Sequence, residues 1–275
     1  MRRRRSRLAP LPVWLLTSLA FLGARSAAAQ DELRVVSPGG QVEFRLFISQ
    51  PGSGPLPQLA YEIRYRGRTA VKTSFLGLQI HNQEPVLGEK VGLVASNSGE
   101  GPGRFRWLKA EYMQNGSLGR LIAVEVRVWD DAAAFRYLIP RSAPLEEVLI
   151  ENEVTEFDLV GDSRDSSLSL PAVIPGSGGG WIGISEVPSP GFPGMSLARA
   201  PVGVLAARLP LGAVNPLVAF EGKTPLVCPW RVLTFAAERD GIDVRGRWTQ
   251  LAAPDPWKAR SDLAEHLSDT TPVRK

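Results

Sequence analysis

The chain has 275 residues, with 32 Lys+Arg against 28 Asp+Glu, two histidines and one cysteine. Its formal charge of +4 is carried by the first thirty residues: cleavage after Ala29 would remove six arginines and no acid, leaving 26 basic against 28 acidic residues, about −2. This composition excludes a nucleic-acid surface built on bulk basic charge, and a single thiol excludes an internal disulfide.

Residues 1–29 read as a secretory signal peptide. Arg2, Arg3, Arg4, Arg5 and Arg7 form a cationic start, Leu11 to Gly23 is an apolar run interrupted by Pro12 and Thr17, and "ARSAAAQ" offers small residues for cleavage. Neither this run nor any later one reaches the roughly 18 apolar residues that a membrane span requires. The expected location is therefore secreted or periplasmic, with general and twin-arginine export both open.

Strand signals follow in order. In "VEFRLFI" the residues Val42, Phe44, Leu46 and Ile48 share one face. In "LAYEIRYRGRTAV" Leu59, Tyr61, Ile63 and Tyr65 oppose Glu62, Arg64 and Arg66, with Gly67 at a turn, which predicts a hairpin with one solvated side. Asn115-Gly116 predicts a tight hairpin turn, and "NGS" is a glycosylation sequon only in a eukaryotic host. "IAVEVRVW" places Ile122, Val124, Val126 and Val128 on one face; Asp130-Asp131 then makes a turn into "AFRYLI".

After Pro140, "IENEVTEFDLVGDSRDSSLSLPAVIPGSGGG" reads as one strand and a long surface loop. "GWIGIS", "VGVLAARLP", "LVAFEG" and "CPWRVLTFAAE" are further strand candidates, and only "DPWKARSDLAEHL" has the pattern of a helix start. Regular strands at this spacing predict an all-β antiparallel sandwich.

Self-sufficient catalytic chemistry is not visible. The sequence contains no GxSxG, HExxH, CxxC pair or phosphate loop. His81 and His266 stand apart from one another, and Cys228 within "PLVCPW" reads as a buried thiol. Glycoside hydrolysis needs only two acids at suitable separation. Asp130, Asp131, Glu151, Glu153, Glu156 and Asp158 have the ordinary reading of turn or solvent-face acids. Glu186 differs, because it ends the apolar run Trp181 to Ser185 and precedes the proline-rich loop "VPSPGFPGM". Trp107, Trp129, Trp181, Trp230, Trp248 and Trp257 are potential sugar platforms as well as packing residues; Trp181, which leads into the Glu186 strand, is the candidate for carbohydrate binding.

The segments "SPGGQVEFRLFI", "LAYEIRYRGRTAV", "SFLGLQI", "VRVWDDAAAFRYLIP", "ENEVTEF", "WIGISEVPSPGFPGM" and "CPWRVLTF", in that order, resemble the amino-terminal domain of glycoside hydrolase family 97. The resemblance implies a galactose-mutarotase-like β-super-sandwich over residues 31–255, with 256–275 a truncated linker or tail. The family's enzymes are calcium-dependent α-glucosidases and α-galactosidases, in which this domain precedes a catalytic (β/α)₈ barrel and lends one glutamate to a calcium ion. Glu186 matches that position, and the resemblance implies that it points off the strand end towards a neighbouring domain. Ser185 and Val187 depart from the family's flanking threonine and alanine, and Ala132 from a turn glycine. A barrel takes about 250 residues, which the segment after Pro254 does not provide. Two readings follow: a secreted bacterial module, without catalysis of its own, for carbohydrate or partner recognition, or one half of a split calcium-dependent glycosidase whose barrel is separately encoded. A mutarotase-like enzyme would need a histidine and a carboxylate brought together.

Overall fold

A computed structural model describes residues 32–50, 56–115, 119–142, 145–161, 166–176, 180–200 and 203–252. The proposed signal peptide, the 256–275 tail and His266 lie outside these residues. The alternating first half forms β1 (Leu33–Val36), β2 (Val42–Ser49), β3 (Gln58–Tyr65) and β4 (Arg68–Phe75), an antiparallel sheet in sequential order. The β3–β4 turn puts Arg66 at φ 50 and Gly67 at φ 75, as the right-handed strand twist favours in a two-residue hairpin. Glycine tolerates that region; arginine occupies it at a cost.

The chain continues through β5 (Leu78–Ile80), β6 (Gln83–Leu87), β7 (Val91–Gly101), β8 (Phe105–Gln114), β9 (Leu121–Trp129) and β10 (Ala132–Ile139). It then forms β11 (Glu147–Glu153), β12 (Glu156–Phe157), β13 (Ser167–Leu168), β14 (Ala172–Pro175), β15 (Trp181–Val187), β16 (Ser196–Arg199) and β17 (Leu205–Arg208). β18 (Phe220–Lys223), β19 (Leu226–Val227), β20 (Trp230–Ala236), a 3-10 turn at Arg239–Gly241 and a short helix α1 (Trp248–Ala252) complete the described elements. One layer is a large sheet in the order β14-β15-β20-β10-β9-β8-β7, with β19 paired to β10. The facing layer combines β1-β2-β3-β4, β18-β11-β5-β6 and β12-β17-β16-β13. Backbone bonds from Lys72 to Asp158 and from Val160 to Ala70 join β4 to the segment that follows β12. All the named strand pairs are antiparallel, so the expected all-β antiparallel sandwich is what the chain forms.

The core lies between the layers. Phe44, Tyr61 and Ile63 from one side meet Val124, Val126, Phe135 and Leu233 from the other. Phe44 stacks on Tyr61 at 5.3 Å, and Tyr61 meets Phe135 at 5.1 Å, so aromatic contact runs through the full thickness. The predicted faces of β2 and β3 turn towards the core, because period-two alternation puts those residues on a single side, whereas β9 is buried on both of its faces.

The opposite face of the large sheet is also covered. Phe105, Trp129, Ala132, Ala134, Trp230 and Val232 form a second apolar cluster beneath Leu251 of α1. The segment leading to α1 crosses Gly183 so closely that a Cβ there would stand 2.6 Å from the Ile242 side chain. Glu125 is buried on this face, bound by Arg127 at 2.9 Å and Arg136 at 2.6 Å, with both guanidiniums over Trp230 at 4.8 and 4.4 Å.

Three local expectations change. The long loop expected after β11 contains β12, β13 and β14; strands of two to four residues have no readable period and are specified by distant partners. The connection around Asn115-Gly116 runs from the end of β8 at Gln114 to Leu121 and is longer than a two-residue turn. A short helix not expected from the sequence forms at Trp248–Ala252, while the predicted start at "DPWKARSDLAEHL" lies outside the described residues. Asp130 and Asp131 do form the β9–β10 turn, where Asp130 accepts the Gly39 N–H at 2.7 Å and Asp131 pairs with Arg247.

Candidate functional site

β15 holds both residues singled out in the sequence, at its two ends. Trp181 pairs with Ala236 and Glu186 with Arg231 in an unbroken register. Five residues of extended chain separate them by roughly 17 Å, so the structure does not bring Trp181 and Glu186 to one ligand.

At the Glu186 end the expected outward projection is replaced by an internal ion pair. The ladder places Glu186 directly across from Arg231, and alternation turns both into the core layer. Arg231 is 1% exposed and Glu186 9%. The guanidinium binds Glu186 Oε2 and also Glu153, which is completely buried, through Nε at 2.9 Å and through Nη2. Glu186 Oε2 additionally accepts the Met195 N–H at 3.2 Å, so the proline-rich loop folds back over the carboxylate. The Thr155 hydroxyl donates to Glu153 at 2.6 Å and meets the Tyr137 hydroxyl at 2.5 Å. Burial pushes the Tyr137 phenol well above its ordinary value, and the adjacent carboxylates raise Arg231 against its own desolvation. Two carboxylates against one guanidinium leave a formal surplus of one negative charge.

Calcium takes six to eight oxygens. No group of three or more His, Cys, Asp or Glu able to hold a metal occurs among the described residues, and Glu186 has one oxygen committed to Arg231 and Met195. The residues present therefore do not fit a calcium ion by themselves.

At the Trp181 end, the β3–β4 hairpin, the flanks of the β14–β15 connection and the end of β20 surround a cavity of about 370 Å³. Trp181, Tyr65, Arg66 and Arg68 line it, with Phe235 at its base. Tyr65 stacks on Phe235 at 5.3 Å, closing the gap between the layers, and the Arg66 guanidinium lies 5.0 Å over the Tyr65 ring. Arg239 stands 5.8 Å over Trp181. The sequence pattern places Tyr65 on the apolar face and Arg66 on the solvated face of a hairpin turning at Gly67, and so missed Tyr65, Arg66 and Arg68 as site residues. It missed Arg231 too, although an arginine inside an apolar strand is itself a signal of a buried partner.

The other candidates are dispersed. His81 Nδ1 meets Glu151 Oε1 at 2.6 Å, and Gln79 donates to Glu151 Oε2 at 2.6 Å, so the structure brings one histidine and one carboxylate together between β5 and β11. Asp158 pairs with Lys72. Glu156 accepts the Phe75 N–H at 3.2 Å, and desolvation raises its pKa. Cys228 is buried and its thiol is pushed far up, chiefly by desolvation. Trp129 and Trp230 are packing residues of the outer cluster, with Trp107 and Trp248 against it.

The fold and these two strand ends belong to an all-β antiparallel sandwich. Residues 35–165 match the sequence profile described as Glycosyl-hydrolase 97 N-terminal. No curated protein matches the chain. Among solved structures, a glycoside hydrolase family 97 enzyme from Pseudoalteromonas sp. strain K8 in complex with panose is similar at TM-score 0.65 and 18% identity, over 75% of this chain and 36% of that one. A family 97 enzyme from the same strain with acarbose gives TM-score 0.64 at 18% identity over the same shares. A beta-arabinopyranosidase gives 0.60 at 18% identity, over 74% of this chain and 40% of the other. The chain thus spans little more than a third of the length of these enzymes. Over residues 35–165 it is similar to the N-terminal domain of glycoside hydrolase family 97. No (β/α)₈ barrel occurs among the described residues.

Proposed function

We propose that this chain is an exported, non-catalytic carbohydrate-associated module that recognises a saccharide through the cavity at the Trp181 end. The observation that carries the reading is the convergence of Trp181 and Tyr65 with guanidinium donors around about 370 Å³, a volume within the range of small-molecule sites. Aromatic walls stack on the apolar face of a pyranose while a few polar groups fix its orientation. The family 97 resemblance supports a carbohydrate context. Purified protein given aryl α-glucosides and α-galactosides with calcium shows no turnover, while calorimetry against a saccharide panel detects binding that Trp181→Ala abolishes. Robust turnover lost in Glu186→Ala, or saccharide binding indifferent to Trp181, refutes the reading.

A second reading, one half of a split calcium-dependent glycosidase, draws support from the other end of β15. Leu211, Val214 and Leu217 are exposed on the loop before β18, with Val214 at 99%. That loop is tied to the Glu186 end by Leu209 N–H donating to Asn152 at 3.1 Å and by Phe192 stacking on Phe220 at 4.6 Å. Exposed apolar side chains on one loop suit a protein partner. In this reading calcium is held chiefly by the partner's acids. Mixing the chain with a family 97 barrel that lacks its own sandwich then yields calcium-dependent turnover that Val214→Asp removes; an inert mixture argues against it.

A further inference from the structure

The chemistry of the Trp181 cavity points to a narrower class of ligand. Among the described residues no acidic side chain lines it. Arg66 and Arg68 are exposed and form no ion pair with a carboxylate among the described residues, and neither does Arg239. Elsewhere in the same domain Arg34, Arg45, Arg136 and Arg231 each have a carboxylate partner. The cationic groups also stand on the aromatic walls, Arg66 over Tyr65 and Arg239 over Trp181.

The inventory of donors and acceptors is one-sided. Guanidinium and indole N–H groups donate only, while the Thr69 and Tyr65 hydroxyls are the lining side-chain groups that can also accept. A neutral sugar presents hydroxyls that each need an acceptor as well as a donor, and its sites normally include carboxylates or amides to provide one. A wall rich in donors instead matches a ligand rich in acceptors, and the planar guanidinium fork matches the oxygens of a carboxylate or sulfate. Arg66 holds this position at φ 50, in the left-handed region that arginine rarely adopts.

We infer that the cavity between the β3–β4 hairpin tip and Trp181 binds an anionic saccharide, one or two rings bearing a carboxylate or sulfate, with Arg66 and Arg68 engaging the anion and Trp181 a ring face. This inference rests on the carbohydrate reading above and specifies its ligand.

Calorimetry on the full chain with digalacturonic acid, a sulfated disaccharide, maltose and sodium sulfate tests it. One or both of the acidic sugars bind, telling carboxylate from sulfate recognition, and raising the salt from about 50 to about 300 mM weakens binding by screening. Arg68→Gln, and separately Arg66→Asn, which suits a positive φ, each weaken binding about tenfold or more. Trp181→Ala does so too, with circular dichroism unchanged in all three. Maltose binding as tightly as the acidic sugars, with no effect of the arginine variants, overturns the inference but leaves the carbohydrate reading standing. Sodium sulfate binding equally well and regardless of Trp181 reduces the site to an adventitious anion site and overturns it. Failure of every saccharide overturns both.

Discussion

Glu186 lies directly opposite Arg231 in the β15–β20 ladder, and its carboxylate is bound by the guanidinium of that cross-strand neighbour. Because Arg231 also neutralises the fully buried Glu153, it is, among the described residues, the one cation bound to both carboxylates of this buried cluster. Arg231→Met should leave buried carboxylates uncompensated and cost about 3–5 kcal/mol. Urea unfolding measures this, and adding Glu153→Gln should recover a substantial part of it. A loss below about 1 kcal/mol for the single variant would mean that the cluster is hydrated rather than sealed.

Calcium alone should leave the thermal midpoint unchanged. A ligand stabilises a fold only by binding it, and the described residues offer no ligand set of their own. Differential scanning fluorimetry in millimolar calcium and in chelator should superpose; a reproducible upward shift in calcium would reveal a site built by this chain.

Glu156 sets one pH dependence. Desolvation raises its folded pKa above the ordinary 4.5, partly offset by the Phe75 N–H. An acid whose pKa is raised by folding binds its proton more tightly in the native state. Its ionisation therefore costs stability, which falls as pH rises from 4.5 through the raised value and stays lower above it. Glu156→Gln keeps an oxygen for the Phe75 N–H, so it should stabilise the domain at pH 7, with the gain vanishing below pH 4.5. Denaturant titrations at several pH values measure the difference, and a gain that persists at low pH would contradict this origin.

Cys228 should be inert in the native state. Its thiol is buried and held protonated far above the ordinary value by desolvation, and the thiolate is the reactive species. Ellman's reagent at pH 8 should report one thiol after unfolding and almost none before.

Leu251→Ala should loosen the cover of the outer face. Leu251 is buried against the cluster that contains Trp129 and Trp230, and truncating a buried leucine costs about 2–5 kcal/mol. Thermal unfolding should show the loss together with a red shift in tryptophan emission. An unchanged spectrum and midpoint would mean that α1 contributes no packing.

How far the sequence disclosed this depends on which physical signal each element leaves. Alternation exposed β2, β3 and β9 because one face of each is uniformly apolar, so the sandwich and its principal core could be read directly. The other face of β9 carries Glu125 and Arg127, which look solvated in one dimension; only the distant Arg136, Trp230 and α1 bury them. The same limit hid the fate of Glu186. Its place at the end of an apolar run was legible, but its partner is 45 residues away and is set by a strand pairing that no local pattern encodes. Trp181 was chosen for leading into that glutamate, whereas the groups beside it in space come from a hairpin more than a hundred residues earlier.

The unbroken ladder between Trp181 and Glu186 has a mechanical corollary. Extended backbone held in a ladder behaves as a stiff rod, with β20 pairing it from Trp181 to Val187 and β14 from Trp181 to Ile184. A guest seated at one tip has no soft joint through which to displace the other. Occupancy of the two tips should thus be additive in free energy, so that one body can keep hold of a saccharide and a second macromolecule at once without either loosening the other.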